Sequence, residues 1–274
     1  MNKPKQIFLL LLLTLAVPTL ALAANFSMEG NGHSMNMSGE IIPGDAERLA
    51  DILLSVEPKE FGYYIYPGTI WLDSIGGDVS EAIRVADLVK SLGVSVVVAE
   101  GGVCASSCFL IYVAAIDRNA TGIDTLLTEG THGHLGAIGV HRPSFAIQED
   151  GLMGAKKQEH IMLAMRAYLT ESGVGHTLID KMMSHASNDI YWLNDEEVLS
   201  LGTYSPGVEE QLISRCGYDA KLIAGFTSRE YIDSTKSGML YCISDYLGDA
   251  YRRPADDVIR RMRSGWRPWD AAYD

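Results

Sequence analysis

The chain is short of positive charge. Its 22 lysines and arginines face 35 aspartates and glutamates, a formal net charge of -13. Phosphate-backbone binding needs clustered cations, so nucleic acid is excluded as an expected partner. Long apolar runs are scarce too. Ile7–Val17 is the one extended run, and it falls short of the roughly 20 residues that cross a bilayer. No later segment is long and apolar enough to span a membrane. The chain also lacks internal repeats, and it has no low-complexity tract beyond that early stretch. What remains is one sizeable domain, or a domain plus appendages. Cysteine is limited to Cys104, Cys108, Cys216 and Cys242.

The first residues read as an address. Lys3 and Lys5 precede Ile7–Val17, and Ala21-Leu22-Ala23 follows. These are the charged region, the apolar region and the small-x-small cleavage site of a secretory signal. We expect residues 1–23 to be removed, leaving about 250 residues that start at Ala24. Loss of two lysines leaves twenty basic residues against thirty-five acidic ones, about -15. The alternative is an uncleaved N-terminal anchor. An exported chain, periplasmic or secreted, with an even number of cysteines points to disulfides. Cys216–Cys242 is the expected pair. Cys104 and Cys108 are open between a local bridge and buried thiols of a packed helix. Arg252, Arg253, Arg260, Arg261, Arg263 and Arg267 crowd the end of the chain with Trp266 and Trp269. We read that run as a solvated helix face pairing with Asp256 and Asp257, the alternative being contact with anionic lipid or an acidic partner.

Between these ends, strands alternate with helices. Asn25–Ser38 reads as a leader or an edge strand, and Asp45 as the N-cap of a helix over 46–54. Thr69–Ser74 is a short strand ending at Gly76-Gly77. Val79–Leu92 has helical apolar spacing with Gly93 as its C-cap. Val94–Ala99 is β-branched, as in a buried parallel strand. Ser107–Ala115 is apolar nearly all round and reads as a core helix. Gly136–His141 is another strand, preceded by a loop over 119–135. Helices follow over 148–172, 174–184 and 195–201. This alternation predicts an α/β domain with mainly parallel strands. Residues 204–274 read as a C-terminal extension of it.

Three segments carry the chemistry. Gly76-Gly77 closes a strand, and glycine there brings a backbone N–H close to a ligand. Thirty residues after Gly77, Ser107 opens the apolar helix, where unpaired N–H groups and the positive end of the helix dipole gather. The N–H of Cys108 would be one oxyanion donor. A plain helix cap is the alternative role for Ser106 or Ser107. His141 ends the later strand, and neutral imidazole is the usual base for a serine nucleophile. Asp189, before Ile190-Tyr191-Trp192-Leu193, is the candidate orienting acid.

Together these pieces resemble the ClpP-type serine peptidases of the ClpP/crotonase superfamily. The resemblance rests on Ser74-Ile75-Gly76-Gly77, Ser106-Ser107-Cys108, Val140-His141-Arg142-Pro143, and Trp192-Leu193-Asn194-Asp195-Glu196-Glu197-Val198 leading to Gly202. It covers about residues 39–203. It implies a ClpP/crotonase-like β-β-α spiral core over residues 24–203, a protruding helix hairpin over 148–184 and a ring of like subunits. It also implies hydrolysis of peptides or unfolded segments without a cofactor or metal. In this scheme Ser107 attacks, His141 moves the proton, Asp189 orients His141, and Gly77 and Cys108 hold the oxyanion. Counting back from Trp192 puts the acid's place at Ile190, one residue past Asp189. Cys108-Phe109 replaces the Met-Gly that follows the family's nucleophile. Three alternatives stay open: a Ser-Lys dyad using Lys156 or Lys157, a zinc set of His132, His134 and His141, and a scaffold that binds peptides without turnover.

Overall fold

The computed structural model describes residues 23–29, 34–55, 68–120, 136–144 and 152–219, with short stretches at 238–239, 241–243 and 245–247. Residues 1–22 of the expected signal, most of the 119–135 loop with His132 and His134, and the arginine-rich end lie outside the described residues.

The architecture is α/β, an eight-stranded sheet with helices packed on it. β1 (Asn25–Met28) lies antiparallel to β2 (Ser34–Ile41), so the N-terminal segment forms a hairpin rather than a lone edge strand. β2 then runs parallel to β3 (Thr69–Gly77) and is an interior strand. Its alternation explains this: Met35, Met37 and Ile41 are buried, while Ser34, Asn36 and Ser38 stay half-buried.

The pivot of the fold is β3. At Thr69–Trp71 it pairs with β4 (Ser95–Val98), which in turn pairs with β6 (Arg118–Ala120). Further along, at Ser74, it pairs instead with Cys104 of β5 (Val103–Ala105). β5 is parallel to β7 (Ala137–Val140), and β7 is antiparallel to β8 (Tyr191–Trp192). One strand therefore serves two sheet branches, and the branch through β5 and β7 carries the motifs.

α1 (Asp45–Ser55) starts at Asp45, whose buried carboxylate turns back to the N–H of Ile42 at 2.8 Å instead of capping forward. The N–H of Ala46 donates to Glu81 of α2 (Val79–Leu92) at 2.7 Å. Arg84 then joins Glu81 to Glu47, tying α2 to α1. α2 has the expected bounds. Asp78 accepts from the N–H of Glu81 at its start, and Gly93 closes it in the left-handed conformation. α3 (Cys108–Ala114) is buried along its whole length, which fits its unbroken apolar sequence.

α4 (Leu152–Glu171) and α5 (His176–Ser184) are joined by an Arg166–Asp180 ion pair. The C-terminal part of α4 enters the core through Met165 and Leu169. α6 (Asp195–Ser200) opens with a capping box between Asn194 and Glu197. α7 (Pro206–Cys216) belongs to a second apolar cluster with Ile116, Val208, Leu212, Tyr218, Ile243 and Leu247. The expected Cys216–Cys242 disulfide is present at this cluster, and Cys104 is bonded to Cys108. No described helix is long and apolar enough to cross a membrane.

At the centre lies Arg118, 2% exposed. Its guanidinium donates to the carbonyls of Val113 (2.6 Å), Ser172 (3.0 Å), Leu201 (2.5 Å) and Gly202 (3.2 Å). These are the C-terminal carbonyls of α3, α4 and α6, the ends of helices that attract a cation. Burial draws the pKa of Arg118 below the ordinary arginine value, against the pull of Tyr112 and Glu209.

Candidate active site

The register of the second branch aligns the motifs. Ser74, Cys104 and Ile138 are cross-strand partners on β3, β5 and β7. Gly77 ends β3, while Ser107 and His141 lie two residues past the end of β5 and one residue past the end of β7. On the far side, β8 runs antiparallel with Val140 opposite Tyr191. Beyond that pair the Arg142 N–H donates to the His185 carbonyl at 3.1 Å.

The glycine pair is required where it stands. Gly76 has φ +92°, and a Cβ there would come within 2.6 Å of the Ala105 carbonyl and 2.9 Å of the Ser107 nitrogen. Gly77 has φ +152°, and a Cβ there would meet the Ile41 carbonyl at 2.1 Å. Ser74 shapes the turn: its hydroxyl donates to the Gly39 carbonyl at 2.6 Å and accepts from the Gly76 N–H at 3.1 Å. Only glycine lets the β3 end pass this close to the serine turn.

Ser107 is the residue at the helix start, yet it does not cap. Its φ and ψ are -64° and -20°, and its side chain makes no capping hydrogen bond. It is 3% exposed, and its Oγ has no hydrogen-bond partner at all. The turn around it is held by other groups. The Ser106 N–H donates to the Gly139 carbonyl at 2.9 Å, and the N–H groups of Phe109 and Leu110 donate to the Ser106 and Ser107 carbonyls at 3.1 Å. Cys108 is the first residue of α3, so its N–H has no acceptor within the helix. Ser106 has φ +57°, the one non-glycine residue with positive φ among the described residues.

His141 is buried at 9% exposure, and its Nδ1 lies 2.8 Å from the Arg142 carbonyl. A carbonyl can only accept, so Nδ1 carries the proton and donates it there. Nε2 is then the basic nitrogen. The ring and the Ser107 hydroxyl make no hydrogen bond to each other.

Asp189 is not brought to His141. It is exposed, its N–H donates to the Ala186 carbonyl at 3.0 Å, and the nitrogen an orienting acid would take is on Arg142. Ile190 packs over Gly139, where a Cβ would meet it at 2.6 Å. Of the dyad lysines, Lys156 is exposed on α4, without the burial that a lysine base requires. The side chain of Lys157 lies outside the described residues. Among the described residues no three His, Cys, Asp or Glu side chains cluster to hold a metal ion.

Two apolar side chains stand open beside the row: Ile75, 66% exposed, next to the glycine pair, and Trp192, 48% exposed, at the Gly139 end. Nearby, Lys181 donates to Tyr191 at 2.9 Å and to Glu197 at 2.5 Å, clamping α5 to β8 and α6. Burial works against the Glu197 charge, but hydrogen bonds from Lys181, the Asn194 N–H and Tyr191 leave its pKa below the usual glutamate value. The sequence reading did not find the Arg142 carbonyl or the roles of Ser74 and Ser106. Only the count back from Trp192 to Ile190 signalled that the acid's place is not held by a carboxylate.

No protein-family model matches the chain, and no curated protein matches it. Among solved structures it is similar to ClpP1 from Listeria monocytogenes, at 20% identity and a TM-score of 0.43 over 64% of this chain and 89% of that one. An asparagine-to-aspartate mutant of the same ClpP1 gives 20% identity and 0.43 over 64% of this chain and 90% of that one. A serine-to-alanine mutant of the membrane-bound stomatin-specific protease 1510-N gives 17% identity and 0.43, over 68% of this chain and 84% of that one.

Proposed function

We propose that this chain is an exported ClpP-like serine hydrolase, a peptidase that cleaves peptides or unfolded segments. One observation carries the reading. A serine at a helix N-terminus leaves its hydroxyl uncapped, buried and unpaired, with its main chain against the glycine turn, where a Cβ at Gly76 would come within 2.9 Å of the Ser107 nitrogen. An unsatisfied buried hydroxyl costs about 1–3 kcal/mol, and such groups call for a functional reason.

In the competent complex Ser107 Oγ closes on His141 Nε2, loses its proton to it and attacks the scissile carbonyl. His141 returns that proton to the leaving amine. The N–H groups of Gly77 and Cys108 hold the oxyanion. The Arg142 carbonyl keeps the proton on Nδ1 and so fixes the tautomer, the service an acid gives in a triad. Asp189 therefore has no step. Two disulfides suit an oxidising compartment, in keeping with the expected signal. The implied ring of subunits would use α4, where Leu163 is exposed.

A second reading, a ClpP-like scaffold that binds peptides without cleaving them, is favoured by the absence of a Ser107–His141 hydrogen bond. A fluorophosphonate probe decides between the two. The wild-type protein should label covalently, and Ser107→Ala and His141→Ala should not label while still melting cooperatively. A wild type that neither labels nor cleaves an unfolded substrate hands the site to the scaffold reading. Asp189→Asn should label within twofold of wild type; a loss of 10³ or more would restore the aspartate to the triad.

A further inference from the structure

We infer that the Cys104–Cys108 disulfide is a positioning element of this site, fixing the direction of the Ser107 hydroxyl and of the Cys108 N–H. The inference rests on the hydrolase reading above and extends it.

The bond spans the turn that carries the serine. Cys104 is locked in the sheet, paired with Ser74 on one side and Ile138 on the other. Cys108 begins α3, the helix buried along its whole length. Both cysteines are fully buried. Between them the chain has three residues, Ala105, Ser106 and Ser107, in which to pass from strand to helix. It does so by holding Ser106 at φ +57°, a conformation that a side chain disfavours. Relaxation of Ser106 to negative φ would rotate the peptide joining it to Ser107, swinging the hydroxyl and the Cys108 N–H together. The hydrogen bonds at Ser106 N and O resist that rotation. The disulfide resists it covalently, because its two ends belong to elements that packing already holds still.

A bridge closing so short a loop restrains the unfolded chain least, so its distinctive effect falls on local angle. Cys216–Cys242, 26 residues apart in the extension, is the natural control. It closes a long loop and is bonded to neither strand nor helix of the serine turn.

The test uses the full mature chain and a fluorophosphonate probe, with the inactivation rate constant separated from the probe's binding constant, and thermal melting in parallel. Cys104→Ala/Cys108→Ala should lower the inactivation rate constant tenfold or more and leave probe binding within twofold. Cys216→Ala/Cys242→Ala should melt lower and keep the wild-type rate constant. Ser106→Gly added to the first variant removes the reason to relax, since glycine takes positive φ without strain, and should recover most of the lost rate. If the double alanine does not melt cooperatively, Cys104→Val/Cys108→Ala, which fills more of the buried volume, replaces it. A wild type that labels beside a bridge-less variant that labels equally fast overturns this inference alone, as does a loss that Ser106→Gly leaves untouched. A wild type that never labels overturns the hydrolase reading and this inference with it.

Discussion

Arg118 and Ser107 are 2% and 3% exposed, yet they are treated in opposite ways. The guanidinium donates to four carbonyls, while the hydroxyl has no partner. Both sit at helix ends: Arg118 at three C-termini, Ser107 at one N-terminus. Around Arg118, every donor–acceptor pairing serves to hold α3, α4 and α6 to β6. Around Ser107, main-chain hydrogen bonds and a disulfide hold the turn, so the side chain is free of structural duty. A buried polar group that is satisfied is part of the scaffold. One that the scaffold surrounds and leaves unsatisfied is available for chemistry.

The largest expected effect breaks the first half of this comparison. Arg118→Met keeps the apolar stem and strands four carbonyls in the interior. We expect a loss of about 4 kcal/mol or more in a urea melt, with the fold lost altogether if the native margin is at the low end of about 5–15 kcal/mol. A loss under about 1 kcal/mol would mean that water reaches those carbonyls, and the hub would not hold the helices.

Arg118 also shows where reading the sequence stops. Its acceptors include main-chain atoms 54, 83 and 84 residues away, and a carbonyl oxygen leaves no trace in residue type. The fork of β3 was hidden for a related reason: a short apolar strand announces its burial, not its neighbours. By contrast α2 was legible to the residue, because Gly93 marks its end and the apolar spacing fills its length. The motifs around Gly77, Ser107 and His141 were legible in sequence, and the register makes neighbours of the strands β3, β5 and β7 that lead to them. Asp189 is the candidate acid because it precedes the strand-like Ile190-Tyr191-Trp192-Leu193, yet it is exposed, and His141 Nδ1 faces the Arg142 carbonyl, which no residue type announces.

Next in size are the two disulfides. The chain-entropy model gives about 3.5 kcal/mol for the long loop closed by Cys216–Cys242 and about 2 kcal/mol for the short one at Cys104–Cys108. Chemical denaturation of the two alanine pairs should therefore rank the extension's bridge above the serine turn's in stability, while labelling ranks them the other way. If the two rankings coincide, the separation of scaffold from site drawn here does not extend to the disulfides.

A smaller effect belongs to Glu197. Its folded pKa lies below the ordinary glutamate value, so the stability it lends is fully present above the unfolded pKa of about 4.3. It is lost as pH falls through the lowered folded value. Glu197→Gln keeps an oxygen that can complete the capping box and removes the charge, and should cost up to about 1 kcal/mol at neutral pH and close to nothing in acid, once pH has fallen below the lowered folded value. Melts at the two pH values check this; an equal loss at both would assign the effect to the cap rather than to the charge.

The smallest effect has the most telling sign. Were Ser107 an ordinary N-cap, Ser107→Ala would destabilise by about 1 kcal/mol. With its hydroxyl buried and unpaired, removal takes away a desolvated polar group and leaves every main-chain bond of the turn in place. Stability should then be unchanged or rise by up to about 1 kcal/mol, while fluorophosphonate labelling disappears. Urea melts of Ser107→Ala beside Ser106→Ala, which keeps the candidate nucleophile, resolve a difference of that size. A clear loss of stability for Ser107→Ala would return the hydroxyl to the scaffold and erase its contrast with Arg118.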